Sequence, residues 1–440
     1  MRLLLAATLI VGTTTTALLA SPTAQTEDYD QLQAEYDQVS RYLSSKRSIG
    51  PDEKTSLMAL REKLDAFAAA NAEDHRPLVL SLQLSTWLGD EDRVDQAFQG
   101  LSNLSDDDRI WIAWAENRAA TNRYEDAQVL LIDREMDMAK SPEAALVLAQ
   151  CHIANNQFEE ALAVINGIPE EGLGKPGVRG KQTRLKSQAE QWQKLWQDEI
   201  ALREQEDAEA ALPLATIKTN RGDITVLLME NQAPNTVANF ITLAQNDFYN
   251  GHRFHDVVMN TMAMTGDPNS KTGSTEKPGA GGPGYRIPDE SGRDDYRPHF
   301  AGVLAMDKNS SAITPGAIPT VEANSGGSRW YITMEPQKAR NGEYTVFGRI
   351  LEGKSTAGKL RKEGVFLGGS HGCEVASDGH GVAQHLDEAA LGGIPRVPVA
   401  VSAFGGAPLH RFITNCHRGQ ESCGEYRQGL TQVNHGQSPQ

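Results

Sequence analysis

The sequence changes character at Pro213, and this change most constrains the folds open to the 440-residue chain. Between residues 27 and 211, Ala, Leu, Glu and Gln dominate and apolar residues recur every three or four positions, which predicts α-helices. After Pro213, the runs 215–219 and 223–228 are rich in β-branched residues, which predicts strands. We therefore expect a multidomain α plus β protein, with a helical arm (residues 27–211) followed by a strand-rich part (residues 213–353).

The negative charge of the chain is concentrated in the arm. Residues 21–212 hold 20 basic and 36 acidic side chains, a balance of 20 − 36 = −16, whereas residues 213–440 hold 21 and 22, a balance of −1. Because an acidic surface repels phosphate backbones and no basic stripe occurs elsewhere, we expect no nucleic-acid partner. The same acidity predicts that a protein partner of the arm has a basic surface and binds less tightly at high salt.

The first residues have the pattern of an export signal. Arg2 precedes the apolar run 3–11, and Ala20 ends a small-residue pattern typical of a cleavage position. We expect residues 1–20 to be removed as a signal peptide, leaving an exported protein, periplasmic or secreted, with no membrane contact beyond export. The alternative is an uncleaved N-terminal membrane anchor, which the shortness of the apolar run disfavours.

Two segments of the arm are related by a shift of 156 − 122 = 34 residues. Residues 122–127 (NRYEDA) align with residues 156–161 (NQFEEA), so that an aromatic residue recurs three positions before an alanine. In paired-helix repeats the aromatic residue fills the gap between helices, and the alanine lets the next repeat approach closely. The pattern resembles tetratricopeptide-type repeats over residues 76–170. It implies either a groove for a protein partner or a spacer whose repeats only pack on one another.

The strand-rich part begins with a predicted hairpin and a helix. Asn220-Arg221-Gly222 gives the turn between the two strand runs. An amphipathic stretch then follows Pro234, with Asn235 or Thr236 as its expected N-cap. Further segments with glycines, aromatic residues and short apolar runs come at residues 248–251, 253–258, 266–268, 282–285, 288–290, 302–306, 324–333 and 344–350.

The order and spacing of these segments resemble the cyclophilin-type peptidyl-prolyl cis-trans isomerases over about residues 213–353. The resemblance implies a closed eight-stranded antiparallel β-barrel with two helices. It also implies isomerisation of X-Pro bonds in Pro-containing or unfolded polypeptide segments, here during the folding of exported proteins. The family needs no metal and no organic cofactor, and we expect none.

The resemblance also assigns the residues of the site. In the family, an arginine directly after Phe-His donates a hydrogen bond to the prolyl nitrogen, which lowers the amide barrier of roughly 18 to 20 kcal/mol. Asp256 stands at that position, so a donor is replaced by an acceptor. In the apolar pocket, Met262 is the residue that the family also has. The other positions that the resemblance assigns to the site are His255, Thr261, Met264, Asp307, Lys308, Arg329, Tyr331 and Tyr344.

Three interpretations of this degenerate site stay open. In the first, Arg329 pairs with Asp256 or replaces the missing guanidinium, and weak isomerase activity survives. In the second, Met262, Met264 and Tyr331 form an adaptable apolar surface that binds peptides without catalysis, as in a chaperone or scaffold. In the third, the strand-rich part is a structural module.

The chain after residue 353 has a different composition. Residues 354–440 are rich in Gly and His without clear periodicity, which predicts a tail of low order. Its histidines and cysteines lack the paired spacing of a metal site, so we expect no metal there. The sequence leaves the disulfide status of Cys416 and Cys423 open.

Overall fold

A computed structural model of the chain describes residues 24–44, 49–209, 211–271, 274–310, 321–361 and 373–376. The predicted signal peptide, residues 1–20, lies outside the described residues, as do Cys416, Cys423 and most of the tail. Among the described helices, none is both long enough and apolar enough to cross a membrane.

The described part of the arm contains nine α-helices. They are α1 Ala24–Ser44, α2 Pro51–Ala70, α3 Arg76–Leu88, α4 Glu91–Leu104, α5 Asp108–Ala120, α6 Tyr124–Asp133, α7 Pro142–Ala154, α8 Phe158–Asn166 and α9 Val178–Glu209. The 34-residue repeat corresponds to the pairs α5–α6 and α7–α8. The repeated aromatic and alanine residues, Tyr124, Phe158, Ala127 and Ala161, are all buried, as the repeat pattern predicts.

The strand-rich part forms one antiparallel sheet. Its strands are β1 Leu214–Thr219, β2 Gly222–Leu228, β3 Asp256–Val258, β4 Met262–Thr265, β5 Val303–Met306, β6 Trp330–Thr333, β7 Val346–Glu352 and β8 Cys373–Ala376, with helices α10 Pro234–Gln245 and α11 Lys354–Gly358. The hydrogen-bonded order is β3-β4-β6-β5-β7-β2-β1-β8. The predicted hairpin is present as the antiparallel β1–β2 pair, which ends at Thr219 opposite Gly222.

The prediction of a closed eight-stranded barrel is wrong. Seven strands between residues 214 and 352 form an open, curled half-barrel, and β8 extends it beside β1. Within the described residues, the two edge strands β3 and β8 are not paired with each other. These edges have three and four residues, which gives them too few ladder hydrogen bonds to close the sheet.

The N-cap predicted for α10 is also wrong. The helix begins at Pro234, but no local side chain caps it. Instead the carboxylate of Glu290 accepts hydrogen bonds from the backbone N–H groups of Asn235 at 3.0 Å and Thr236 at 2.9 Å. Because a buried carboxylate satisfies these donors, a segment distant in sequence fixes the start of the helix.

Two pieces of the predicted low-order tail form regular elements, so low order does not begin at residue 354. The first is α11, which is followed by the fully buried Leu360. Arg361 then forms an ion pair with Glu91 of the arm. The second piece is β8, which pairs with β1. Apolar burial and this ion pair give the start of the tail contacts that its composition does not predict.

The arm and the strand-rich part share one apolar core. Phe300 is fully buried, and its ring centroid lies 5.0 Å from that of Trp192 and 4.8 Å from that of Trp196, both on α9. Phe158 of the repeat lies 6.2 Å from the same ring. The cluster continues to Tyr331 on β6. The two parts are therefore joined by continuous packing in this cluster, and each part also has apolar clusters of its own.

The repeated asparagines of the arm dock it onto the strand-rich part. Asn122 and Asn156 lie in the left-handed turns between paired helices, with φ of 66° and 59°. The Asn156 side chain donates to the carbonyl of Ala301 at 2.9 Å and accepts from its N–H at 3.0 Å. Asn122 Oδ1 accepts from the N–H of Asn260 at 2.6 Å. The turns at this edge of the repeats therefore bind the strand-rich part of the same chain.

A buried ionic cluster joins α9 to the strand-rich part. Arg297 donates to Glu199 at 2.9 and 2.7 Å and also contacts Glu206. Three cations balance three anions in the cluster, which consists of Arg203, Arg297, Arg349, Glu199, Glu206 and Asp207. Mutual pairing allows these charges to be buried at the interface.

Candidate functional site

The register of three strands brings the predicted site residues together. Asp256 on β3 lies opposite Met264 on β4, and Met264 lies opposite Tyr331 on β6. Residues directly opposite in a ladder point to the same face of the sheet, and so do residues two apart on one strand. Arg329, two residues before Tyr331, and Met262, two residues before Met264, therefore share this face.

Of the two roles that the first interpretation gives Arg329, the ion pair with Asp256 is not formed, because Arg329 pairs with Asp307. Its Nε donates to Asp307 Oδ2 at 2.8 Å, and further hydrogen bonds go to Asn309 Oδ1 at 2.9 Å and the Gly281 carbonyl at 3.3 Å. The N–H of Asp307 donates to the carbonyl of Arg329, so the two residues are neighbours in the extended β5–β6 ladder. Asp256 lies on β3, with β4 between it and β6.

A polar cavity of about 300 Å³ adjoins Arg329. One wall is the glycine-rich segment 280–284, and the other lining residues include Asp307 and Asn309. The fully buried Asp267 holds this segment, since its carboxylate accepts from the N–H groups of Gly279 at 2.5 Å and Gly281 at 3.0 Å. The cavity is therefore preformed, with a guanidinium in its wall.

Tyr331, which the family resemblance assigns to the apolar pocket, is 0% exposed and belongs to the apolar cluster that the arm and the strand-rich part share. Its hydroxyl hydrogen-bonds to His299 Nε2 at 3.0 Å, and Tyr344 packs edge-on at 5.9 Å between ring centroids. Asn341 Oδ1 lies 3.1 Å from His299 Nδ1 and accepts a hydrogen bond from the Nδ1–H group. Nε2 then carries no proton and accepts a hydrogen bond from the tyrosine hydroxyl. Burial lowers the pKa of His299 to about 3 and raises that of Tyr331. The floor of the pocket is thus uncharged at neutral pH.

Arg340 covers this pocket, and the sequence analysis missed it. Its central guanidinium carbon lies 4.9 Å from the ring centroid of Tyr331 and 4.7 Å from that of Tyr344. The residue belongs to a short 3₁₀ turn, Lys338–Arg340. The sequence carries no motif or periodicity that singles out this arginine.

The other predicted pocket residues lie around this centre. Met262 and Met264 are half-buried and pack against the shared core. Thr261 is half-buried in the preceding turn, where its hydroxyl donates to the Met259 carbonyl at 3.4 Å. The structure therefore places the two methionines in the cluster of Tyr331, whereas Thr261 lies further along the ladder, where its carbonyl accepts from the N–H of Met334.

Lys308 and His255 have surroundings that the sequence did not predict. Lys308 is buried and donates to Asp289 Oδ2 at 2.8 Å and to the Glu343 carbonyl at 2.7 Å, so its charge is already paired. Both ring nitrogens of His255 are buried, and neither finds a hydrogen-bond partner among the described residues. Burial lowers the pKa of His255. In the part of the chain that the structure describes, no three His, Cys, Asp or Glu side chains cluster as metal ligands would.

The arm holds both edges of the site. Asn260, next to Thr261, donates through Nδ2 to the Tyr124 hydroxyl at 2.5 Å. Glu335 accepts from the same hydroxyl at 2.8 Å and from Gln150 Nε2 at 3.1 Å. Burial raises the pKa of Glu335. The turn before β4 and the segment that leads to Arg340 are thus both fixed by the arm.

Comparisons with known proteins agree with this geometry. Residues 214–373 match the family model described as cyclophilin type peptidyl-prolyl cis-trans isomerase/CLD, and residues 119–185 match a tetratricopeptide repeat model. A peptidyl-prolyl cis-trans isomerase of Synechococcus elongatus is 37% identical over 141 residues, which are 32% of this chain and 82% of the relative. A peptidyl-prolyl cis-trans isomerase of Helicobacter pylori is 34% identical over 163 residues, which are 37% of this chain and 86% of the relative.

A solved structure was also similar. The crystal structure of a cyclophilin type peptidyl-prolyl cis-trans isomerase from Cryptosporidium parvum is 22% identical in sequence and superposes with a TM-score of 0.31. The match covers 38% of this chain and 99% of that chain.

Proposed function

The chain belongs to the cyclophilin-type peptidyl-prolyl cis-trans isomerase family, and from this premise we propose that it isomerises X-Pro bonds of exported proteins with Arg329 as the hydrogen-bond donor. The reaction makes and breaks no covalent bond. A donor to the prolyl nitrogen favours the twisted amide, in which the nitrogen lone pair has left resonance. Asp256 as a carboxylate cannot donate, so another residue must supply this hydrogen bond.

The observation that carries the proposal is the fixed position of Arg329 beside Tyr331. The hydrogen bonds to Asp307, Asn309 and Gly281 use three of its five N–H groups. A substrate amide can accept from the others. Because the guanidinium is already ordered by Asp307, little side-chain entropy is lost when the substrate binds. Asp307 acts as a positioning residue in this proposal.

The second candidate function is peptide binding without catalysis. It is favoured by the complete burial of Tyr331 beneath Arg340. A site with a covered floor and no arginine at position 256 can hold an extended segment on Met262 and Met264 while leaving the barrier unchanged. The two candidates differ in one measurable quantity, the rate of isomerisation above background.

The export assignment rests on the sequence of residues 1–20. The pattern ending at Ala20 supports cleavage and delivery to the periplasm or the medium, with a retained anchor as the alternative. Edman sequencing of the protein isolated from its native cells tests this assignment. A mature N-terminus near residue 21 is the expected result, and an intact Met1 in the membrane fraction would contradict it.

We also propose a protein partner for the arm. Its net charge favours a basic surface on that partner. A groove of about 360 Å³ between α2, α3 and α4 is lined by small residues such as Ala68 and Gly100, so it accepts a narrow segment. Its two aspartates, Asp65 and Asp74, already pair with Arg93 and Arg76.

The test of catalysis is isomerisation of an X-Pro peptide by the full mature chain, followed by NMR exchange spectroscopy. Arg329→Ala should lower the catalysed rate by about two to three decades, the usual cost of losing one transition-state donor. Asp307→Asn should lower it less, because the donor stays but is less well oriented. Arg293→Ala is the matched control, since this exposed arginine pairs with Asp295 away from the site.

The outcomes separate the candidates. If the folded parent protein shows no rate above background, catalysis fails and peptide binding becomes the function to test. If the parent is active and Arg329→Ala keeps that activity, another group is the donor. In either case, activity gained by Asp256→Arg would measure how much of the family's site remains functional.

A further inference from the structure

We propose that Arg340 closes the proline pocket and selects X-Pro segments that carry an acidic side chain beside the proline. The inference rests on the proposed function, because it concerns the same pocket. It adds a specificity-determining residue and a substrate class. Three features of Arg340 carry the argument: its position on the aromatic rings, the lack of a carboxylate partner, and the anchoring of its turn.

The guanidinium lies where a proline ring would have to pack. Its central carbon is 4.9 Å from the Tyr331 centroid and 4.7 Å from that of Tyr344, and Tyr331 has no exposed surface. His299, the other side chain in contact with the Tyr331 hydroxyl, is itself fully buried. Arg340 is half-buried, as are Met262, Met264 and Tyr344 in the same cluster, so a ligand arriving from solvent meets these side chains before it reaches Tyr331.

Arg340 has no carboxylate within 4 Å among the described residues, unlike three other cations of the strand-rich part. Arg329 pairs with Asp307, Lys308 with Asp289, and Arg286 with Glu322. The guanidinium is instead held by the faces of two rings, and a cation–π contact of this kind is weak enough for a ligand to replace. A carboxylate on the client offers the ion pair that this cation lacks.

The backbone of the turn stays in place when the side chain leaves. Gln337 N–H donates to the His299 carbonyl at 2.8 Å, and Lys338 Nζ donates to Gln191 Oε1 on α9 at 2.8 Å. On the other side of the 3₁₀ turn, Asn341 Oδ1 accepts from the N–H of the buried His299 at 2.8 Å. Opening of the pocket is therefore a rotation of the Arg340 side chain, and the displaced guanidinium remains at the rim of the pocket.

Substrate choice follows from the position of the displaced cation. When the proline enters, Arg340 loses both rings and stands beside the residues that flank the proline. A flanking glutamate or aspartate restores a favourable contact, a neutral residue does not, and a flanking lysine repels the guanidinium. The site should therefore discriminate between peptides by the charge of the residue beside the proline, although that residue itself stays outside the pocket.

The experiment uses three peptides, Ala-Glu-Pro-Phe, Ala-Ala-Pro-Phe and Ala-Lys-Pro-Phe, with the full mature chain. Calorimetry gives each Kd, and methionine-methyl NMR at Met262 and Met264 reports that binding is in the pocket. The parent should bind the glutamate peptide about tenfold more tightly than the lysine peptide. Arg340→Ala should bind the neutral peptide about fivefold more tightly than the parent does, because the pocket is open, and should lose the charge preference.

Two further variants sharpen the result. Arg340→Glu should reverse the preference toward the lysine peptide, which a merely structural role would not produce. Arg293→Ala, the control used for catalysis, should keep the parent's order of affinities.

The result that overturns the proposal is an Arg340→Ala variant that binds the neutral peptide no more tightly and keeps the parent's charge preference. The proposed isomerase function survives that result if the peptides are still turned over. If no peptide shifts the Met262 and Met264 methyl signals in either protein, while circular dichroism shows both folded, the pocket is not a peptide site. Both proposals then fail together.

Discussion

Arg297→Met removes one cation from the buried cluster between α9 and the strand-rich part, and we expect it to lower the free energy of unfolding by about 3 to 5 kcal/mol. The Arg297 side chain is 1% exposed, and its two carboxylate partners, Glu199 and Glu206, are 2% and 6% exposed. Water cannot replace the lost guanidinium there without opening the interface. The cost is therefore that of leaving excess negative charge in a buried site.

The ion pairs that remain in the cluster decide where the loss of unfolding free energy falls between about 3 and 5 kcal/mol. Glu199 keeps an ion pair with Arg203 at 2.7 Å, and Glu206 keeps a longer one with Arg349 at 3.3 Å. Because neither carboxylate loses every partner, we expect the lower end, about 3 kcal/mol. Arg297→Lys retains the charge but cannot bond both carboxylates in a fixed fork, so its cost should be intermediate.

The pH dependence of this loss is a second signature. Burial alone would raise the pKa of Glu199, but Arg203 and Arg297 outweigh it and hold the pKa below its usual range. A carboxyl with a lower pKa in the folded state contributes stability above its unfolded pKa of about 4.3, and this is lost as pH falls through the folded value. The difference between the parent and Arg297→Met should therefore be largest near pH 7 and shrink below about pH 4.

Urea unfolding of the full mature chain, followed by far-ultraviolet circular dichroism, measures these differences. With a slope of about 3 kcal/mol per M, a loss of 3 kcal/mol shifts the midpoint by about 1 M. Arg293→Met is the control, because an exposed pair such as Arg293–Asp295 contributes about 0 to 1 kcal/mol. A loss below about 1 kcal/mol at pH 7, or one that is equal at pH 7 and pH 3, would refute the reasoning.

The remaining predictions concern the shared core and the floor of the pocket. Phe300→Ala should lower the free energy of unfolding by about 3 to 5 kcal/mol in urea, because it leaves a cavity beside Trp192 and Trp196. Tyr296→Ala, at an exposed position, is the control. A similar small loss for both variants would contradict the packing argument. Burial lowers the pKa of His299 to about 3, so its contribution to stability is complete above the unfolded pKa of about 6.5 and is lost progressively as pH falls toward 3. NMR of the folded protein should show a neutral His299 ring from pH 8 to 5, and a midpoint near 6 would contradict this.

The sequence predicted those features of the fold that depend on local pattern. The β1–β2 hairpin followed from its turn residues, and the family resemblance named Met264 and Tyr331 as residues of one apolar surface. The replacement of the family's donor by Asp256 was visible without a structure. Closure of the sheet was predicted wrongly, because it depends on the lengths of edge strands, which no motif encodes.

Features that depend on contacts between distant segments could not be predicted. The repeat pattern of Asn122 and Asn156 describes packing between helices, yet both side chains bond to backbone more than 130 positions away. Glu290 caps α10 from 54 and 55 residues along the chain. Arg340 lies in a turn without periodicity, so its direction depends on the anchoring of that turn by Gln337 and Lys338.

The joint burial of Phe300 with the tryptophans of α9 has a consequence for how the chain is made. Trp192 and Trp196 leave the ribosome about 100 residues before Phe300, so the growing arm carries an apolar surface with no cover until the strand-rich part follows. That surface is then a ready template on which the later strands can assemble. A gene shortened to its isomerase segment would encode a protein that keeps its own apolar cluster but leaves Phe300 without the tryptophans that pack on it.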